Sequence, residues 1–414
     1  VNGVQLATTS TLLFFASIGD ARGAKKIFLI GVFVFTLATI GAAFAPTFDV
    51  LVAMRVVQGL GGSAILVTIN ALNRALYSTE QLGRSIALNA IFVAVGTAGG
   101  PTIGGIVLSF APWPWIFALN VPLGIIAFSL GIRYLPNVAA TGTPLDYRSG
   151  ALAIAAFGGI FYAIDALPRH IAPAQSYTAA VIGVAAMAAF IVRQLRLTNP
   201  MLAVELFRVP IFSISIVASM MTYTAQGLAY VSLPFFFQNV LGKTPLESGL
   251  LLSAWPLTAL IVAIRMGPIS DRYPAPILCT IGILTMGAGL LCFALLPATP
   301  PLAAIVACAA ICGAGFATFQ TPNNRAIIAT APPEKTGRAA GVMTTARLSG
   351  QTLGATLVAI IFAIVGSAAA ARYVPERSVI EAALITACAC MAIAALCSSI
   401  RLGSSARAVG IPHA

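Results

Sequence analysis

Apolar residues run along this chain in blocks of roughly 18–25, the length a helix needs to cross about 30 Å of hydrocarbon at 1.5 Å per residue. Thirteen blocks are legible, near 3–19, 27–45, 50–72, 85–109, 116–135, 149–167, 177–195, 211–237, 247–266, 277–296, 302–321, 340–366 and 380–400. Short polar interruptions separate them. The 11 carboxylates fall into those interruptions or close to them: Asp20, Asp49, Glu80, Asp146, Asp165, Glu205, Glu247, Asp271, Glu334, Glu376 and Glu381. An ionised side chain at bilayer depth costs about 2.5–3.5 kcal/mol or more, which pushes charge to span ends. The pattern predicts an all-α polytopic membrane protein with about thirteen transmembrane helices.

Composition sharpens this. With 59% hydrophobic residues, 8% charged residues and a mean hydropathy of +0.97, the chain does not fit a soluble domain, in which about a quarter of residues are charged. Its net charge of +12 is not gathered into a basic stripe with interleaved aromatics, so nucleic acid is not an expected partner. The 7 cysteines all lie in apolar segments of the C-terminal half. Neither His170 nor His413 is spaced with a cysteine as a metal site requires. The cysteines read as small packing residues, and no metal or disulfide is implied.

The basic residues sort by side of the membrane. Seventeen of the 23 fall in the alternate loops that include Arg22, Lys25, Lys26, Arg133, Arg208, Arg338 and Arg401. Only Arg169, Lys243, Arg372 and Arg377 fall in the others, and Arg55 and Arg347 lie inside spans. The positive-inside bias makes the first side cytoplasmic. The expectation is a multi-pass protein of the inner or plasma membrane with a cytoplasmic C-terminus. Residue 1 then starts outside without a signal peptide, which fits either a natural outside start or an absent upstream helix.

An internal repeat favours the second alternative. The segment Ile18–Gly31 recurs as Ile269–Gly282, with Asp20 and Asp271 at matched positions. Likewise Glu80, Gly83 and Arg84, followed by Gly96 and Gly100, recur as Glu334, Gly337 and Arg338, followed by Gly350 and Gly354. Parallel repeats of this kind are a transporter design, with the substrate site between the halves. The second copy has a span, 211–237, whose counterpart the first copy lacks. The expected organisation is an N-terminal bundle at 1–135 lacking its opening helix and a linker with two extra spans at 136–200. A C-terminal bundle at 201–401 and a tail at 402–414 complete it.

Three motifs carry chemistry. The loop Ala16–Lys26 holds Asp20, Gly23, Lys25 and Lys26, and its second copy holds Asp271 and Arg272. A carboxylate at a helix end can meet positive dipole ends or arginines, while Gly permits a tight turn. Arg55-Val-Val-Gln58-Gly59 puts a guanidinium inside a span, where it needs a partner, a polar path or a snorkelling route to the interface. Gly96, Gly100 and Gly104 share one helix face, which allows close backbone approach, and Pro101 bends the helix before Gly105.

These residues resemble the major facilitator superfamily, specifically its fourteen-span drug:proton antiporter branch. The first loop is similar to that family's G-x-L-x-D-R-x-G-R-K pattern, with Ala16, Ala21 and Ala24 departing from it. Arg55 to Gly59 is similar to its R-x-x-Q-G, and Gly96 to Gly105 to its antiporter signature G-x-x-x-G-P-x-x-G-G. The resemblance implies a two-bundle secondary transporter, not an enzyme. It implies export of amphipathic or cationic compounds in exchange for protons, with the proton gradient as energy source and no cofactor. Lipid, small-molecule substrates and protons are its partners, and the protein is expected to be monomeric. The family carries an Asp in its first helix, and among the residues present Asp165 is the first suspect as proton carrier.

Tyr223, Gln226 and Tyr230 recur at near-helical spacing and suit such substrates by stacking and cation–π contacts, or else are packing residues. Arg347 and Asn120 join them as candidates. Gln320, Asn323 and Asn324, at the end of the block 302–321, read as helix caps. An ATP-driven pump is excluded, since Gly242-Lys243-Thr244 has Phe237 where a phosphate loop needs its first Gly. A transport-inactive protein of the same fold and an exporter of one specific metabolite remain as rivals.

Overall fold

Length and composition make eleven of the described helices able to cross a membrane, and a shorter apolar helix covers Val95–Phe110. The structure, a computed structural model, describes all residues except 1, 78–81, 138–144, 167–172, 198–199, 203, 298, 333–335, 369–376 and 410–414. The helices are α1 (Asn2–Arg22), α2 (Ala24–Ala43), α3 (Phe48–Leu76), α4 (Leu82–Phe110), α5 (Pro114–Ala118), α6 (Asn120–Tyr134), α7 (Tyr147–Ala166) and α8 (Pro173–Arg196). They continue as α9 (Pro210–Phe235), α10 (Pro245–Arg272), α11 (Ala275–Ala294), α12 (Leu302–Ala329), α13 (Thr336–Ala368) and α14 (Arg377–Val409). No strand occurs among the described residues.

Each expected span meets a helix, with local differences, among them α14, which runs on to Val409 through most of the expected tail at 402–414. The block at 116–135 is broken at Leu119 into α5 and α6. The helix α12 continues to Ala329, well past the expected end near 321. The residues Gln320, Asn323 and Asn324 therefore sit inside a helix and do not cap it. Pro322 is accommodated within α12. Neighbouring helices satisfy Gln320 and Asn323, two of the polar side chains that made the segment look like a terminus.

The chain divides into two compact units, one of residues 1–90 and 110–204, the other of residues 91–109 and 205–414. In the first, α1 packs on α3, α7 and α2. It is the least apolar of the long helices there, and its Thr8, Thr9, Ser10 and Thr11 are buried. Ser10 and Thr11 donate to the carbonyls of Leu6 and Ala7 one turn back, and Thr8 donates to the Gly59 carbonyl at 3.0 Å. Burying a hydroxyl is tolerable only when it is bonded in this way.

Glycines set the tightest helix contacts, and they do so twice. A methyl group on Gly61 of α3 would lie 2.7 Å from the Gly31 carbonyl of α2. A methyl on Gly315 of α12 would lie 2.7 Å from the Gly282 carbonyl of α11. The same α–α contact is thus built at matching places in both units. It gives physical content to the repeat, because Gly31 and Gly282 are the residues its first alignment pairs. In the second unit α9 also packs against α13 and α14, with Gly350 facing the Met220 carbonyl. The core there includes Phe237, Trp255, Ile283, Met286, Phe293 and Phe319, together with Cys279, Cys308 and Cys312 as small buried residues.

The helices α7 and α8 form a hairpin with its own clasp. Gly159 and Gly183 bring the two backbones together. At the other end Arg193 of α8 grips Asp146, just before α7, with Nη2 and Nε donating at 2.9 and 3.2 Å. Ser149 donates to the same carboxylate at 2.6 Å, and Gln194 donates to the Ser149 hydroxyl. Partial desolvation raises the Asp146 pKa, but the hydrogen bonds from Arg193 and Ser149 and the arginine's charge outweigh it and bring the carboxyl to about 2. A carboxyl held below its unfolded value, about 3.9, stabilises above that value and loses the effect as pH falls through its folded one. The clasp is therefore expected to hold at every physiological pH. Asp146→Asn should lower the melting temperature of purified protein at pH 7, and the difference from the unmodified protein should shrink on acidification towards pH 3. Equal melting at pH 7 would show the clasp contributes nothing.

Candidate functional site

The first loop turns at Gly23, whose φ of 95° suits a residue without a Cβ. Lys25, which follows it, donates from Nζ to the carbonyls of Ile132 and Leu135 at 3.1 and 2.7 Å. It thus satisfies the C-terminal carbonyls of α6, where a cation is favoured by the helix dipole. Arg22 donates to the Tyr147 hydroxyl at 3.1 Å. Asp20 and Lys26 are exposed. In the second copy Asp271 and Arg272 close α10, and Arg272 is exposed.

The R-x-x-Q-G segment is a packing and polar junction of the first unit. Arg55 donates to Gln58 Oε1 at 2.6 Å and lies 5.4 Å from the centre of the Phe117 ring. Gln58 is 4% exposed and passes the chain on, donating to Thr39 of α2 at 2.8 Å. Gly59 is pressed against α1, so that a methyl group there would lie 2.7 Å from Ala7 Cβ. Arg55 therefore has two protein partners, an amide and an aromatic face.

In the antiporter-type motif the close approach is made by a different glycine from those expected. Among the described residues nothing comes within 4 Å of a methyl group built on Gly96, Gly100 or Gly104. Gly105 is the buried one, where a methyl would lie 2.6 Å from the Pro245 carbonyl and 2.7 Å from Leu246 Cα at the start of α10. Thr102 shares a 2.7 Å hydrogen bond with Ser253 of α10. The side chain of Pro101 lies outside the described residues, as do those of Asp165 and Asp271.

The richest polar cluster lies in the second unit, on α9, α12 and α13. Gln320 donates from Nε2 to the Tyr223 hydroxyl at 2.7 Å, and Gln351 donates to Gln226 Oε1 at 3.3 Å. Arg347 stands one turn before Gln351 on α13, next to the point where Gly350 packs against Tyr223 of α9. The Tyr223 ring meets Phe316 edge-on at 5.6 Å, and Tyr230 lies 5.3 Å from Trp255. Tyr223 and Gln226 are buried, while Tyr230, Gln320, Arg347 and Gln351 remain partly open. Tyr223, Gln226, Tyr230 and Arg347, singled out in the sequence, are thus brought together. Asn120 belongs to the first unit, is exposed, and donates to the Ile116 carbonyl within its own chain turn.

Gln320, read from the sequence as a helix cap, and Gln351, not singled out there, join this cluster, and a second network in the same unit was not legible either. Arg401 of α14 is 1% exposed and donates to Asn323 Oδ1 at 2.9 Å. Asn323, 0% exposed, donates in turn to Ser219 Oγ at 2.8 Å and to the Ser215 carbonyl at 3.3 Å. Three helices, α9, α12 and α14, are tied at one buried point.

Many membrane-crossing helices, two units built on matching glycine contacts and a polar cluster at mid-span define a carrier of small solutes. Residues 2–355 match the Major Facilitator Superfamily, and the chain belongs to that family. It is a multi-pass membrane transporter and not an enzyme. It is 41% identical over 367 residues to the Uncharacterized transporter YebQ of Escherichia coli (strain K12), covering 87% of this chain and 79% of that protein. It is 28% identical over 366 residues to the Riboflavin transporter RibZ of Clostridioides difficile (strain 630), covering 88% and 79%. It is 29% identical to the Multidrug efflux pump LfrA of Mycolicibacterium smegmatis, covering 87% and 72%. A crystal structure of a POT family transporter in complex with a thioalcohol-conjugated peptide superposes with a TM-score of 0.70 at 16% identity, covering 98% of this chain and 88% of that one. That likeness speaks for the fold.

Proposed function

We propose that this chain is a secondary active exporter that moves small amphipathic compounds out across the inner or plasma membrane in exchange for protons. In this reading it works as a monomer without a cofactor, with its C-terminus in the cytoplasm. The observation that carries the reading is the cluster of Tyr223, Gln226, Tyr230, Gln320, Arg347 and Gln351, partly open at mid-span. Polar side chains are costly at that depth unless they line a path for water or solute. Export is supported by the signature-like run Gly96 to Gly105 and by relatives named for multidrug resistance or efflux. Loops carrying Asp20 and Asp271 at the two helix ends are the candidate gate, and Arg55 with Gln58 the candidate support for the coupling path. Asp165 is the first suspect as proton carrier.

The test is transport by purified protein in vesicles with an imposed proton gradient. Amphipathic substrates should be carried outward only while the gradient lasts, and adding substrate should release protons. Substrate movement that ignores the gradient would end the antiport reading. A second reading, transport of one particular planar metabolite, is favoured by the relative named as a riboflavin transporter. Competition by riboflavin at concentrations that leave other compounds without effect would support it.

A further inference from the structure

The α9–α12–α13 cluster carries one charged side chain, Arg347. Arg347 lies nine residues beyond Arg338, where the apolar stretch Arg338–Val365 begins, or about 13 Å along the helix axis. Arg347 is half-buried, and the cluster it stands beside on α13 is otherwise neutral: the Tyr223 hydroxyl and the amides of Gln226, Gln320 and Gln351.

The bonding within the cluster leaves donors turned to spare. Tyr223 accepts from Gln320 and keeps its own O–H to give. Gln226 accepts from Gln351 through Oε1 and keeps its NH₂ group. Arg347 has five N–H donors and no acceptor. In the sequence of this unit the acidic residues Glu205, Glu247, Asp271, Glu334, Glu376 and Glu381 all stand near helix ends or between helices, far along the chain from this depth.

A cationic solute entering here would meet Arg347 at close range in a medium of low dielectric constant. An anion, with oxygen acceptors and a flat aromatic face, would meet a guanidinium, a hydroxyl and an amide, with the aromatic rings of Tyr230 and Phe316 close by. We propose that Arg347 is the specificity-determining residue of this site and that it selects planar, acceptor-rich anions over cations. This rests on the exporter reading, and it narrows the substrates of that reading by charge.

Two dyes of similar flatness and opposite charge test it, fluorescein as the anion and ethidium as the cation. Binding to the purified full chain is measured by fluorescence anisotropy at pH 8, and passage is measured in vesicles bearing a proton gradient. Fluorescein should bind the unmodified protein more tightly than ethidium. Arg347→Gln should weaken fluorescein binding by about tenfold or more, as expected for lost charge-assisted bonds, and Arg347→Lys should restore most of it. Ethidium should bind Arg347→Gln at least as well as the unmodified protein.

Tighter binding of ethidium than fluorescein, or no binding of fluorescein, would overturn the assignment. If Arg347→Gln does not fold, the comparison of the two dyes on unmodified protein decides by itself. Fluorescein bound but never carried would leave the charge preference standing and refute export. Ethidium carried while fluorescein is neither bound nor carried would do the opposite.

Discussion

Leucine in place of Gly315 is expected to abolish folding of the second unit, and Gly61→Leu to do the same in the first. At each site even a methyl group would sit 2.7 Å from a carbonyl oxygen of the neighbouring helix, and backbone cannot yield as a flexible side chain can. Overpacking a well-filled interior costs about 1–3 kcal/mol and occasionally more. Leucine against backbone on both flanks belongs at or above the top of that range, and a marginally stable protein has little to spare. The monodisperse fraction recovered after detergent extraction should fall sharply for both variants. Gly100→Leu serves as the control, since no described atom lies within 4 Å of its position, and its recovery should match that of the unmodified protein. A normal yield of folded Gly315→Leu would mean that α11 and α12 are not in the contact described.

The second large effect concerns the buried junction of α9, α12 and α14. Asn323→Leu removes the amide oxygen that Arg401 meets at 2.9 Å and the amide hydrogens that reach Ser219 and Ser215. A hydrogen bond to a charged group is worth about 1.5–3 kcal/mol, and a buried charge that loses an acceptor suffers most of that. Arg401→Met removes the charge along with its bonds and fills the space with an apolar chain of similar length. It should cost less than Asn323→Leu, despite being the change at the charged residue. Thermal melting of the two variants checks the order. The opposite order would show that Arg401 is held by contacts other than Asn323.

Much of the fold was legible because hydrocarbon imposes one length on every span. Blocks bounded by Asp20, Asp49, Glu247 or Arg401 start within three residues of where their helices start, although some helices run on past them, and the repeat could be read from charged clusters in register. What could not be read is which way each helix faces. Helices such as α11 are apolar all round, and a segment that is apolar on every face carries no stripe to say where its neighbours lie. The buried close approach therefore fell to Gly105, while the more regular series Gly96, Gly100 and Gly104 makes none among the described residues. Gln320 and Asn323 misled for a related reason. Polar side chains near the end of an apolar run look alike whether they cap a helix or cross to another one. Only tertiary contacts distinguish the two, and here those contacts are with Tyr223, Ser219 and Arg401.

The hairpin of α7 and α8, with its glycine contact and its Asp146–Arg193 clasp, has a consequence of parity. Two crossings return the chain to the face of the bilayer it left, so every later segment keeps its orientation whether the pair is present or absent. A single extra crossing would invert α9 to α14 and carry their arginine-rich loops to the opposite face. A hairpin fastened mainly to itself is thus the smallest piece that a duplicated carrier could gain or shed without turning half of itself upside down.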